Sequence, residues 1–164
     1  MNKNLEIVSQ GAGNILKAKG LKLVLAESCT GGLIASAITA ISGSSAYFDR
    51  GYVTYSNESK IDILHVSSDN LEKYGAVSEQ VVCEMAEGAL RKSRANVSIA
   101  VTGIAGPTGG TPEKPVGTIF FAWKISGSAV IWKRKNFNGT RNSIRLQAAI
   151  YVLTELIQVL ENIA

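Results

Sequence analysis

Leu21-Lys-Leu-Val-Leu-Ala-Glu-Ser-Cys-Thr-Gly-Gly-Leu33 decides the fold class. Leu21 to Ala26 is a short, mostly apolar run, the pattern of a strand buried on both faces. It stops at Glu27-Ser28, and a polar turn leads through Gly31-Gly32 into the helix-like stretch Leu33 to Ile41. Strand, polar turn and glycine-led helix start make the first half of an α/β unit. Upstream, Leu5, Val8, Ala12, Ile15 and Leu16 fall on one stripe of a helix over residues 4–19, with Gly20 as its stop.

The rest of the chain extends this pattern. Ser42 to Asp49 reads as a loop, Gly51 to Tyr55 as a second strand and Glu58 to Leu64 as a helical turn or two. Ser78 to Arg94 is the clearest helix, with Ser78 as N-cap and Val81, Val82, Met85, Ala86, Ala89 and Leu90 on its buried face. Val97 to Val101 reads as an interior parallel strand. A loop with four glycines and three prolines runs from Gly103 to Pro115. Residues 116–125 and 129–137 read as strands joined by Ser126-Gly127-Ser128, and a helix from Arg141 to Asn162 closes the chain. Its stretch Ala148 to Leu153 is apolar almost all round, so either the fold or a second subunit has to cover it. With no linker or repeat, residues 1–164 are expected to form a single α/β domain.

Composition limits the function classes. A chain of 164 residues, 46% hydrophobic and 18% charged, is long enough to bury a core. The net charge of +4 is mild and scattered, which favours a small anionic substrate and argues against a nucleic-acid groove. Two cysteines are too few for a disulfide framework. The polar N-terminus has no secretory core, and no window looks like a membrane span, so the expectation is a soluble, cytoplasmic protein without membrane contact. No Cys/His cluster has zinc spacing. Glu27 and Asp62 are the carboxylates left to consider, and neither a metal nor a cofactor is expected.

Four segments are rich in small polar residues. In Ala26 to Gly32, Ser28, Cys29 and Thr30 are candidate nucleophiles, and the backbone N–H groups at a helix start suit an anion. The plainer reading is a capped helix with glycines for close packing. In Gly51 to Lys60, Tyr55 and Lys60 lie at a strand end, where open α/β sheets bind ligands. A Ser-His-Asp triad would have to use His65, the single histidine, which reads as a helix-end residue; a desolvated lysine can be the base instead. In Thr102 to Gly117, glycines bring backbone close to a ligand, but neither a Walker loop nor a GxGxxG fingerprint is present. In Asn138 to Arg145, Arg141 and Arg145 are four apart, on one helix face, where two guanidinium forks would clasp a phosphate or else simply face solvent.

Together, Glu27-Ser-Cys-Thr-Gly-Gly32, Val53-Thr-Tyr-Ser-Asn-Glu-Ser-Lys60, Gly75-Ala-Val-Ser-Glu79 and the Thr102–Gly117 loop resemble the CinA C-terminal domain family over nearly the whole chain. The resemblance implies a three-layer α/β/α sandwich with a mixed sheet. It also implies hydrolysis of the carboxamide of nicotinamide mononucleotide to nicotinate mononucleotide and ammonia, with a pyridine nucleotide as the small-molecule partner. It assigns catalysis to Ser28, activated by Lys60, with Tyr55 beside them, and substrate binding to Thr30, Gly31, Gly32, Thr102, Gly103, Ala105, Gly106 and Arg141, with Arg145 as second choice for the phosphate. Family habit adds a homodimer or higher homo-oligomer. Two departures stand out: Thr108 replaces a usual glycine, and Phe137-Asn-Gly-Thr-Arg-Asn replaces a more typical Gly-Asp-Arg. Two other readings stay open, a non-catalytic nucleotide-binding or partner module linked to competence or DNA damage, and a Cys29 nucleophile.

Overall fold

Residues 1–163 are described in a computed structural model. The elements are α1 (Lys3–Ala18), β1 (Leu23–Glu27), α2 (Leu33–Thr39), β2 (Phe48–Val53), α3 (Asn57–Leu64), α4 (Ser68–Tyr74), α5 (Glu79–Arg91), β3 (Val97–Gly103), β4 (Thr118–Ile125), β5 (Ile131–Asn136) and α6 (Arg141–Glu161). Helix starts follow side-chain caps: the side chains of Asn2, Ser56, Ser67, Ser78 and Thr140 accept N–H groups in the first turns of α1, α3, α4, α5 and α6.

Two elements differ from the sequence reading. The second strand runs Phe48–Val53, so Thr54 and Tyr55 belong to the loop beyond it. Helix α4 was not expected, because Leu71 is its one buried residue and gives no periodicity to read. Tertiary contacts hold it: Glu84 of α5 accepts the Ser67 N–H at 2.9 Å and the Asn70 side-chain amide at 2.7 Å.

The five strands form one mixed sheet in the order β2-β1-β3-β4-β5. β1 pairs in parallel with β2 and β3, while β4 and β5 continue antiparallel. One face packs Leu23, Leu25, Ile99, Val101 and Phe121 against α1, α2 and α6. The other packs Val24, Ala26, Ala100 and Ala122 against α3, α4 and α5. Helices on both faces explain why β1 and β3 carry near-continuous apolar runs, and give the three-layer α/β/α sandwich expected of the family.

Helix α6 has the length and mean hydropathy (1.3) of a membrane-crossing helix, which corrects the expectation that no stretch comes near that composition. Here it is a core helix. Ile144, Ala148, Ala149, Val152, Leu153, Leu156 and Leu160 are buried against the sheet and α1, and Leu146, Ile150 and Ile157 pack half-buried beside them. Tyr151 adds to an aromatic cluster with Phe121, Trp123 and Phe137. Trp123 Nε1–H also donates to Val152 O at 3.1 Å. The fold itself therefore covers most of the apolar surface that had suggested a second subunit.

Candidate active site

The C-terminal ends of β1, β2 and β3 lie side by side at one edge of the sheet. The chain leaves β1 toward α2 on one face and β2 toward α3 on the other, which opens a crevice where open sheets bind ligands. Backbone bonds stitch the ends together: Ser28 N–H donates to Val101 O at 3.0 Å, and Thr54 N–H to Glu27 O at 2.9 Å. Helix α3 then turns Lys60 back toward the end of β1.

Lys60 is 1% exposed and Ser28 8% exposed. Lys60 Nζ lies 3.0 Å from Ser28 Oγ, 2.7 Å from Thr54 O and 3.1 Å from Tyr55 O. Burial disfavours the ammonium and brings the Lys60 pKa down to about 8. As a neutral amine, Lys60 has two N–H groups and one lone pair. The two carbonyls take the N–H groups, and the lone pair then faces the Ser28 hydroxyl. The arrangement can remove a proton from Ser28 and return it to a departing group. His65 is elsewhere: it is exposed and ends α3 in a left-handed conformation (φ 57°).

The helix start after Ser28 already holds a carboxylate of the protein's own. Glu27 is buried, and its two carboxylate oxygens accept the N–H groups of Ile34 and Ala35, each at 3.0 Å. Leu33 N–H donates to Thr30 O and Gly31 N–H to Ser28 O. The protein's own carboxylate thus caps the positive end of α2. Gly31 and Gly32 both have left-handed φ values, 58° and 97°, and so serve the turn that brings Glu27 beneath α2.

A cavity of about 270 Å³ opens beside the pair. Of the residues singled out in the sequence, Ser28, Lys60, Tyr55, Thr102, Gly103, Ala105, Gly106 and Arg141 line it, as does Thr108 at the departing position. Thr30, Gly31, Gly32 and Arg145 do not. Thr30 is buried, and its hydroxyl has no partner among the described residues. The two arginines do not form one clasp. Arg141 Nη1 donates to Gly106 O at 2.7 Å and Nη2 to Tyr55 Oη at 3.0 Å, across the cavity mouth. Arg145 turns to the β1–α2 turn, where Nε donates to Cys29 O at 3.0 Å and Nη2 to Thr30 O at 2.9 Å. Cys29 also lines the cavity, but burial pushes its thiol up to about 12, so it is not a ready thiolate. Ala76 and Val77, from the linker between α4 and α5, form a wall that reasoning from residue types missed. They belong to the Gly75–Glu79 segment, and as small apolar residues Ala76 and Val77 themselves carried no chemical signal.

The family model described as "CinA C-terminal domain" matches residues 6–160. Among curated relatives, the nicotinamide-nucleotide amidohydrolase PncC of Enterobacter agglomerans is 55% identical, over 92% of each chain. The protein of the same name from Escherichia coli strain K12 is 50% identical over 92% of each chain. The crystal structure of the competence/damage inducible protein CihA from Agrobacterium tumefaciens superposes with a TM-score of 0.95 at 44% identity, covering 99% of this chain and 98% of that one. With the matched model spanning nearly all of a fold whose switch-point crevice holds the Ser28–Lys60 contact, the chain belongs to the CinA C-terminal domain family.

Proposed function

We propose that the chain is an amidohydrolase that converts nicotinamide mononucleotide to nicotinate mononucleotide and ammonia, with Ser28 as nucleophile and Lys60 as general base. The observation that carries the reading is the buried Lys60 amine, held by two carbonyls and 3.0 Å from Ser28 Oγ. The names of the two amidohydrolase relatives supply the substrate class.

Neutral Lys60 takes the Ser28 proton as Oγ attacks the carboxamide carbon. The carbonyl oxygen becomes an oxyanion. Its partners are backbone N–H groups of the turn that follows Ser28, since Glu27 engages those of Ile34 and Ala35. Lys60 then passes its proton to the amide nitrogen, the C–N bond breaks, ammonia leaves and a nicotinoyl ester remains on Ser28. Water attacks that ester with Lys60 again as base, releasing the carboxylate product and restoring the Ser28 hydroxyl. Arg141 at the mouth is the phosphate contact, exchanging its bonds to Tyr55 and Gly106 for a charge-assisted pair. Thr102, Gly103 and Ala105 bound the substrate, and Arg145 and Thr30 act through the nucleophile turn. The same reading makes the protein a cytoplasmic enzyme of pyridine-nucleotide salvage. It also makes it a homo-oligomer that uses the open edge of β5, where Ile131 and Trp132 are exposed.

The test is ammonia release from nicotinamide mononucleotide by wild type, Ser28→Ala and Cys29→Ala. The expected result is turnover by wild type and Cys29→Ala and none by Ser28→Ala. A silent wild type that still binds the nucleotide would move the protein to the non-catalytic reading.

A further inference from the structure

Lys114 joins the two walls of the cavity, although it does not line the space itself. It ends a tight turn in which Thr111 N–H donates to Lys114 O at 2.8 Å and Lys114 N–H to Thr111 Oγ1 at 3.0 Å. From there Nζ reaches the α4–α5 linker and donates to Tyr74 O at 3.0 Å and Val77 O at 2.5 Å. Between those carbonyls, Ala76 O accepts from Thr102 Oγ1 at 3.0 Å. The linker has little structure of its own: Gly75 has φ 77°, and Ser78 Oγ donates back to Gly75 O. Ala76 and Val77 form one cavity wall, and Ile104, Ala105, Gly106, Thr108 and Gly109, from the same loop as Lys114, form another. Lys114 makes no salt bridge among the described residues; its charge faces the two main-chain oxygens and, at 6.0 Å, the ring of Phe120.

We propose that Lys114 is a positioning residue that sets the width of the slot between the 76–77 wall and the Gly/Pro-rich loop, and thereby the affinity for the substrate's flat ring. The inference rests on the amidohydrolase reading for what fills the slot. Lys114 touches neither Ser28 nor Lys60, so its effect falls on substrate binding and leaves the proton transfers between them intact. A role confined to fold stability would not separate KM from kcat.

The experiment compares nicotinamide mononucleotide turnover by wild type, Lys114→Met, Lys114→Arg and the control Lys17→Met, which removes the same charge from α1. Loss of two charge-assisted bonds to the wall is expected to raise KM about tenfold in Lys114→Met. The kcat should stay within about twofold of wild type, since no group that moves a proton is altered. Lys114→Arg should recover part of the affinity, and Lys17→Met should match wild type. An unchanged KM in Lys114→Met, or a loss carried wholly by kcat, overturns the proposal. If Lys114→Met does not fold, Val77→Gly cuts back the same wall and must raise KM; an unchanged KM there also overturns it. If wild type releases no ammonia, the amidohydrolase reading has failed and calorimetric binding of the same nucleotide decides. Weaker binding by Lys114→Met then upholds the slot, and equal binding removes it.

Discussion

Lys60 Nζ and Ser28 Oγ lie 3.0 Å apart in a site where the lysine has two other polar partners, both carbonyl oxygens. With a pKa brought down to about 8, Lys60 is a base only in its deprotonated form. Activity is therefore expected to rise with pH and level off above about 8, on a single ionisation. Lys60→Met should lower kcat by roughly 10³-fold, within the usual range for a lost general base. Lys60→Arg should be no better, because a guanidinium stays protonated. A pH profile of kcat/KM that is flat between 6 and 9 (on the order of two decades of base population below the plateau) would remove Lys60 as the base.

The same ionisation links stability to pH. The folded protein holds Lys60 at a pKa of about 8, against the ordinary 10.5, so between those values the unfolded chain binds more protons. Stability from this group must rise with pH across that window, by about 3 kcal/mol in total, and the penalty is fully present below it. Lys60→Met removes the ionisation. Denaturant unfolding of both proteins at pH 7 and pH 10 should show wild type gaining on the variant as pH rises. A difference in unfolding free energy that stays constant would show that the buried amine is not destabilised in the folded state.

Much of this was legible in the sequence, and the failures have physical causes. Ser28, Lys60, Thr102 and the glycine loop were singled out because nucleophile, base and backbone-exposing residues belong to different chemical types at different strand ends. Reasoning along the chain could not say that Lys60 points inward, since one helical turn looks the same buried or exposed until α5 covers it. Glu27 shows the converse. Its carboxylate sits beside the nucleophile in sequence, yet its oxygens face Ile34 and Ala35 and take two of the N–H groups that the helix start seemed to leave open. The two arginines share a helix face, as their spacing requires, but hydrogen-bond acceptors on different loops draw them apart. Helix α4 depends on Glu84, more than a dozen residues downstream, and had no local pattern to read.

That divergence separates the two arginines kinetically. Arg141 lies at the cavity mouth, so Arg141→Ala should raise KM for the mononucleotide by roughly 10- to 100-fold through loss of a charge-assisted contact, with a smaller change in kcat. Arg145 holds the carbonyls of Cys29 and Thr30, directly after the nucleophile. Arg145→Ala should lower kcat by about 10-fold or more with KM little changed, because a displaced nucleophile loses alignment. Steady-state kinetics on both variants checks the assignment, and a KM effect confined to Arg145→Ala would exchange their roles.

Gly88 of α5 sets how closely α3, the helix that carries Lys60, can approach. A Cβ at position 88 would stand 2.0 Å from Leu64 O and 2.9 Å from Leu64 C, both backbone atoms in the last turn of α3. No side chain can move aside there, so Gly88→Ala must push α3 away from α5. The expected cost is about 1–3 kcal/mol, the usual range for overpacking, despite alanine's better helix propensity. Lys60 lies one turn before Leu64 on the same helix and moves with it, and a shift near 1 Å at a catalytic group costs on the order of 10²-fold in rate. Thermal unfolding and kcat should fall together in Gly88→Ala. Retained kcat in a destabilised variant would mean that α3 yields at its end without moving Lys60.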